Sequence, residues 1–413
     1  MNVSSFIAKR VAFNSQRTFS RFIIRIATAA TALSVAAMIL TLGFVNGFQQ
    51  AISTKVFNFW GHLHVQQYEP DKSMVAEETP LEKNDTVLQI LKATPGVTHV
   101  QAFATKSAVL EKNKEIEGVL FKGVDSSYDF KNMQSFLKAG TWIDFNDSLY
   151  SKQILISQPV ADELQIKVND TIHIYFISPE TASSSVRSLL VKGIFKTGIE
   201  EFDKSFAIGD IRLLRRINNW THSEIGGYEV FINDYKNIDS VNDVLYNGPT
   251  PLPGAWVSKS IKDIYPFIFD WLNIQDVNRN VMFIVMSIIA IINLVTCLLI
   301  LVLERTRMVG ILKAIGSSDW NIQKIFLYHA SIISCTGIGL GLFFGVGIAL
   351  LQQYTGFIKL DETAYYVSTA PVDLIWWQVI AVCAATLVVC FLSLLLPTIF
   401  VRTIQPVKAI QFR

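Results

Sequence analysis

A phosphate-binding loop needs Gly-x-x-x-x-Gly-Lys-Ser/Thr, because backbone donors at that turn wrap the phosphates while the lysine reaches across them. No Gly-Lys dipeptide occurs anywhere in this 413-residue chain. Neither a G-x-S-x-G nucleophile turn nor an H-E-x-x-H metal helix is present. His62 and His64 alternate along an extended stretch, so they point the same way and could share a metal. No cysteine or carboxylate stands beside them, and a structural or surface role is the plainer reading. Glu200, Glu201 and Asp203 could hold a cation, although such an acidic loop is more simply a solvated one. The chain is therefore expected to hold no catalytic residue, no metal set and no cofactor.

The stretch able to do chemistry of another kind, surface recognition, is Glu304-Arg305-Thr306-Arg307-Met308-Val309-Gly310-Ile311-Leu312-Lys313-Ala314-Ile315-Gly316-Ser317-Ser318. Met308, Ile311, Leu312 and Ile315 recur at helical spacing, which predicts a short helix with one apolar face. Gly316 ends it and Ser318 can cap the next helix. Gly310 leaves room for a partner's backbone to approach. On periodicity alone, such a helix suits a lipid surface and a protein surface equally.

Four long apolar runs position this stretch: Ala27–Phe48, Val281–Leu303, Ile325–Leu351 and Ile375–Phe400. None contains Asp, Glu, Lys or Arg. Each exceeds the ~20 residues that cross a bilayer core, where only a helix satisfies its own backbone. The composition agrees, with 51% hydrophobic and 17% charged residues, against about 25% charged in soluble domains. Lys9, Arg10, Arg17, Arg21 and Arg25 precede the first run. Arg305, Arg307, Lys313 and Lys324 lie between the second and third, and Arg402, Lys408 and Arg413 follow the fourth. The bias of basic residues places 1–26, 304–324 and 401–413 in the cytoplasm, with 49–280 and 352–374 outside. The first run is longer than a signal-peptide core and reads as an uncleaved anchor. All four cysteines lie within the runs, so no disulfide is expected in the outer domain.

Residues 49–280 are long enough to bury a core of their own. A strand at His62–Val65, a helix capped by Asn84 and two strands near 97–110 and 115–124 form a β-α-β-β unit. Short strands at 153–157, 171–177 and 186–195 follow, with a helix near 129–138 and loops at 179–185 and 198–204. A second α/β half begins near 228. The expectation is an α/β domain split by an inserted, mostly-β module at about 125–220. Within the third run, Gly337, Gly341 and Gly345 are spaced four apart, a pattern that lets helices approach closely.

The run Glu304–Ser318, with Ile322, Ile325 and Phe326 after it, resembles the signature of FtsX-like (MacB/Lol-type) ABC transporter permeases. That pattern reads E-R-x-x-E-I-G-I-L-K-A-L-G. This chain has Met308 where that pattern has an acidic residue and Val309 where it has isoleucine. The layout of one span, a large outer domain and three further spans is similar too. So are the outer loop Ile358–Val372 and the tail Ile404–Ile410, which look like those of lipoprotein-releasing members. The resemblance implies a membrane α-helical fold with a 1+3 arrangement of spans. The outer domain would be a large α+β periplasmic one, with a porter-like module and an inserted sabre-like module. It implies that Glu304, Arg305, Met308, Gly310, Ile311, Leu312, Lys313, Ile315 and Gly316 form a coupling helix docking on a separate cytoplasmic ATPase dimer, which carries ATP and Mg. It further implies a second permease subunit, a bacterial inner-membrane location, and mechanotransmission that hands a lipoprotein to a periplasmic carrier. Two other functions known in the family are efflux of the macrolide-exporter type and FtsX-like signalling to cell-wall hydrolases. Efflux members usually carry a fused N-terminal ATPase, and signalling members a much smaller outer domain. Nothing points to nucleic acid.

Overall fold

The computed structural model describes residues 19–68, 79–147, 149–178 and 183–393. The basic start, most of the expected 179–185 loop, the end of the fourth apolar run and the 401–413 tail lie outside the described residues. Two compact units emerge. Of the described residues, a helical unit takes those within 19–50, 272–359 and 369–393, and a sheet unit takes those within 51–271 and 360–368.

In chain order, α1 (Phe19–Trp60) leads to β1 (Leu63–Gln67), β2 (Leu81–Glu82), α2 (Asp85–Ala93), β3 (Val97–Lys112) and β4 (Glu115–Val124). Then come β5 (Leu137–Gly140), β6 (Gln153–Ser157), α3 (Gln158–Glu163), β7 (Thr171–Ser178), β8 (Ser183–Phe195), α4 (Glu200–Ser205), β9 (Phe206–Asp210) and α5 (Ile211–Ile217). Next are β10 (Glu224–Ile225), β11 (Gly227–Ile232), α6 (Ile238–Asn247), β12 (Trp256–Ser260) and α7 (Ile261–Ile264). The long helices α8 (Pro266–Glu304) and α10 (Asp319–Thr355) flank α9 (Thr306–Ala314), and α11 (Glu362–Tyr365) and α12 (Trp376–Ser393) close the described chain.

The sheet unit starts as its residues predict. Asn84 Oδ1 accepts from the amides of Thr86 and Val87, and the face of α2 carrying Val87 and Leu91 is buried. The hairpin β3–β4 turns through Asn113 and Lys114, both at positive φ, a conformation asparagine tolerates better than most residues. The strands at 125–220 are expected to form an inserted, mostly-β module. Its strands continue the same sheet, in the order β12-β1-β11-β3-β4-β9-β6-β8-β5, and β7 pairs with both β3 and β8. The physical reason is edge satisfaction. β4 would otherwise expose a row of unpaired backbone groups, and β9 covers it in parallel register from Leu120↔Phe206 to Val124↔Asp210. The loop expected at 198–204 contains the helix α4, and the helix expected near 129–138 is a 3₁₀ segment at Phe130–Phe136. Phe59, Phe103, Phe121, Phe176, Phe195, Phe202 and Phe206 are fully buried and dominate the core.

In the helical unit, α1, α8 and α10 are long and apolar enough to cross a membrane. The first two run well past the expected spans, to Trp60 and back to Pro266, because their ends bury in the sheet unit's own core through Val56, Phe59, Trp60 and Ile268. Within the described residues α12 is a shorter apolar helix covering part of the fourth expected span. The glycine row faces α1. A Cβ at Gly337 would meet Thr31, one at Gly341 the carbonyl of Ala32 and Cβ of Val35, and one at Gly345 Ala36 and Ile39. By contrast Ile284, Ile288, Phe343, Trp377 and Ile380 stay exposed, as lipid-facing residues should.

Candidate coupling site

The site grows from the way α9 is started and stopped. Arg305 interrupts α8, and the Thr306 hydroxyl donates back to the carbonyl of Leu303 at 2.7 Å. At the other end Gly316 sits at φ +91, open to only a few residue types. The amide of Ser317 donates to the carbonyl of Leu312 and that of Gly316 to Lys313, both at 3.0 Å. This pair is the Schellman closure of a helix, which satisfies otherwise orphaned carbonyls. Lys313 Nζ lies 2.9 Å from Asp319 Oδ1, tying the end of α9 to the start of α10.

The expected single apolar face is divided. Val309 is fully buried, and Met308 and Leu312 pack on the cluster of Leu298, Leu301, Val302, Ile322 and Phe326. Gly310 is buried as well. Ile311 and Ile315 point outward, 45% and 79% exposed, with Glu304, Arg307, Ala314 and Gly316 also exposed around them. Trp320, half exposed, lies near them in sequence, with Lys324 Nζ 5.4 Å from its ring. The missed rule is simple. A nine-residue helix wedged between two long ones must bury one stripe to stay in place, so only half of its apolar positions remain for recognition. The result is a rigid, capped helix presenting a small apolar ridge edged by charge, suited to filling a complementary groove.

The polar candidates from the sequence do other work. His64 lies among Trp60 and Phe103, and its Nε2 donates to the Trp60 carbonyl at 3.0 Å. Burial, then the charge of Lys122, pushes its pKa down to about 3. His62 Nδ1 accepts from the amide of Ile232, and burial lowers its pKa to about 4. Asp203 is buried and accepts from the amides of Thr197 and Gly198, while Glu200 pairs with Lys204. Burial outweighs those hydrogen bonds and raises the Asp203 pKa. Among the described residues, no three His, Cys, Asp or Glu side chains gather as a metal site.

Sequence reasoning missed a second joint. Lys122 is fully buried, donates to the Phe59 carbonyl at the C-terminus of α1 at 2.6 Å, and lies 2.6 Å from Glu229 Oε1. Its Nζ stands 4.3 Å from the Trp60 ring centroid, and Glu229 Oε2 accepts from Gln101. A cation at a helix C-terminus is favoured by the helix dipole, so this pair fastens α1 into the sheet. The available signal was a lysine in the apolar half of β4, among Val119, Leu120, Phe121 and Val124.

Two family models match the chain: the MacB-like periplasmic core domain over residues 26–245 and the FtsX-like permease C-terminal region over 280–406. The lipoprotein-releasing system transmembrane protein LolC of Neisseria meningitidis serogroup B is 23% identical, with 95% of each chain covered. LolE of Haemophilus influenzae, named for the same system, is 23% identical with 99% of each covered. Among solved structures, the extracellular domain of the ABC-type transporter YknZ from Gram-positive bacteria matches at TM-score 0.32 and 17% identity. That match covers 48% of this chain and 99% of the other.

Proposed function

The chain belongs to the FtsX-like ABC transporter permeases that carry a MacB-like periplasmic core domain, and on that premise we propose that it releases lipoproteins from the inner membrane. The named relatives LolC and LolE, matched over nearly the whole chain, support this substrate. In this reading both termini are cytoplasmic. A separate ATPase dimer docks on α9, a second permease chain completes the complex, and a periplasmic carrier receives the product.

The observation that carries the coupling part is the exposed ridge of Ile311 and Ile315 on a helix whose opposite stripe is locked to the bundle. A helix held that way moves as one body with α8 and α10, so force applied to the ridge reaches the long helices instead of bending a loop. The energetics of the cargo require such a lever. A triacyl anchor of about 45 CH₂ groups is worth roughly 36 kcal/mol of burial at ~0.8 each. Extraction into water in one step is out of reach, so the anchor passes from lipid to an apolar cavity between spans and then to an apolar pocket on the carrier.

The test is reconstitution in proteoliposomes loaded with a triacylated lipoprotein, with the copurifying ATPase and a soluble carrier added. ATP should move lipoprotein to the carrier. Ile311→Asp should abolish ATPase copurification and transfer, because docking would bury an unpaired carboxylate, while membrane insertion stays normal. ATP-driven efflux of a small amphiphile without lipoprotein transfer would replace this reading with an exporter.

A further inference from the structure

Within the sheet unit, β3, β4, β9, β6, β8 and β7 pair in a closed circuit, each with the next and β7 back to β3. Among the described residues, the order of this sheet has two ends, β5 and β12. An end strand carries a row of outward backbone groups, a template for a strand from another chain. β5 is four residues long, and its register shifts between Leu137 and Ala139. A short, bulged edge is a poor template. β12 is a regular one, with five unbroken pairs to β1, from Leu63↔Ser260 to Gln67↔Trp256.

The outward groups of β12 follow from that pairing. The Tyr68 amide donates to the Ala255 carbonyl at 3.0 Å and the Ile261 amide to the His62 carbonyl at 3.1 Å. Bonds to β1 therefore fall on the odd-numbered residues. The alternation of an antiparallel ladder turns the amides and carbonyls of Trp256, Ser258 and Ser260 away from β1.

These outward positions are occupied from within the chain. The Trp256 amide donates to the Pro253 carbonyl at 2.8 Å. At Ser260 the strand ends, because its hydroxyl caps α7 through the Lys262 amide. The central position, Ser258, is taken by one side chain. Its amide donates to Tyr246 Oη at 2.8 Å, and Tyr246 Oη donates to the Ser258 carbonyl at 2.7 Å. A hydroxyl both donates and accepts, so Tyr246 makes the two bonds that a neighbouring strand would make there. The last turn of α6 delivers it, and that helix is seated by the buried Ile238, Val241 and Leu245.

We propose that Tyr246 is an edge lock, and that it keeps out a second copy of this sheet unit. A copy is the occupant whose register β12 itself dictates. Antiparallel self-pairing about a two-fold axis through Ser258 sets Ser258 against Ser258 and Trp256 against Ser260 as hydrogen-bonded pairs. Val257 then meets Lys259 in the closer, non-bonded pairs between them. Lys259 is the one charged residue of the strand, so no like charges face each other across the ladder. The edge is thus self-complementary, and the tyrosine hydroxyl fills its central position.

The test uses the detergent-solubilised full chain with its four native cysteines replaced. One preparation carries Val257→Cys, another Lys259→Cys, and the two are mixed under a mild oxidant. The parent should give no disulfide between copies. Tyr246→Ala should give one whose yield rises with protein concentration, and Val257→Cys chains mixed only with themselves should give far less. Tyr246→Phe keeps the ring and frees the backbone, so it should speed hydrogen exchange at the Ser258 amide roughly ten- to a hundredfold and give the same crosslink in smaller yield. Adding Ser258→Pro to Tyr246→Ala removes the outward donor, at an edge position where proline is tolerated, and should abolish the crosslink. A crosslink in the parent would overturn the proposal. Faster Ser258 exchange with no crosslink in either tyrosine variant would reduce Tyr246 to a local cap and overturn it as well. So would a crosslink that survives Ser258→Pro or shows no preference for 257 with 259.

Discussion

Lys122→Met should cost the sheet unit more stability than any surface change. The ammonium is fully buried, 2.6 Å from Glu229 Oε1 and 2.6 Å from the Phe59 carbonyl, with Tyr128 Oη at 3.3 Å and the Trp60 ring beneath it. At an effective dielectric constant near 20, a pair at that separation attracts by about 6 kcal/mol. Much of this only offsets the desolvation of both ions, so the pair itself contributes little net stability. Removing one partner is different, because Glu229 would keep its desolvation penalty while losing its cation. Broken buried pairs typically cost about 3–5 kcal/mol, and the lost helix-end contact acts in the same direction. At ~1.4 kcal/mol per tenfold, protection of the β1–β11 amides against hydrogen exchange should fall by roughly two to four powers of ten. Adding Glu229→Gln should recover more than half of the loss, since the new side chain carries no charge and can still accept from Gln101. The assay is hydrogen exchange followed by mass spectrometry on the full chain in nanodiscs. A loss of less than tenfold in Lys122→Met, or a double variant no better than the sum of its singles, would refute the reasoning.

Gly341→Leu should separate α1 from α10 and lower the melting temperature through about 1–3 kcal/mol of overpacking, because even a Cβ there lies 2.6 Å from the Ala32 carbonyl. Gly347→Leu, with nothing within 4 Å, should leave it unchanged in the same melt. Acid should weaken the sheet unit. The folded pKa values of His64 and His62, about 3 and about 4, lie below the ordinary 6.5, so below pH 6.5 only the unfolded chain takes up these protons. The stability is intact above pH 6.5 and erodes as pH falls toward 3, by at most ~1.4 kcal/mol per unit for His64. Melts at pH 7.5 and 5 should differ less in His64→Gln than in the parent. For topology, with the native cysteines replaced, a cysteine at Gln89 should react with an impermeant maleimide in intact spheroplasts. One at Ser318 should react only after lysis, and labelling there without lysis would reverse the orientation.

Much of the architecture was legible because it is local. An apolar run of 20 residues has one stable form in hydrocarbon, and three of the four expected runs are helices long enough to cross. The Asn84 cap, the pair of strands near 97–110 and 115–124 and the Gly316 stop each depend on residues within a few positions, and each is present. The family signature was equally local, and the matching family models extend over most of the chain. The division of α9 was not legible. Met308, Ile311, Leu312 and Ile315 are equally apolar and share a helical spacing, and only the packing of α8 and α10 determines which of them face inward. Nor could the inserted strands be assigned to one sheet, because β4 finds its neighbour β9 across a long intervening segment.

By itself, then, the sequence determined the elements that burial, capping and charge bias decide over short distances: the apolar helices, the stopped helix at 306–314 and the membrane class. Tertiary structure alone decided which polar groups meet. Lys196 and Glu362, 166 residues apart, and Lys122 with Glu229 leave no periodic trace. The reason is physical. A hydrophobic pattern repeats with the backbone and is written along the chain. A single ion pair depends on two side chains being desolvated at the same point in space, and no spacing in one strand of sequence encodes that.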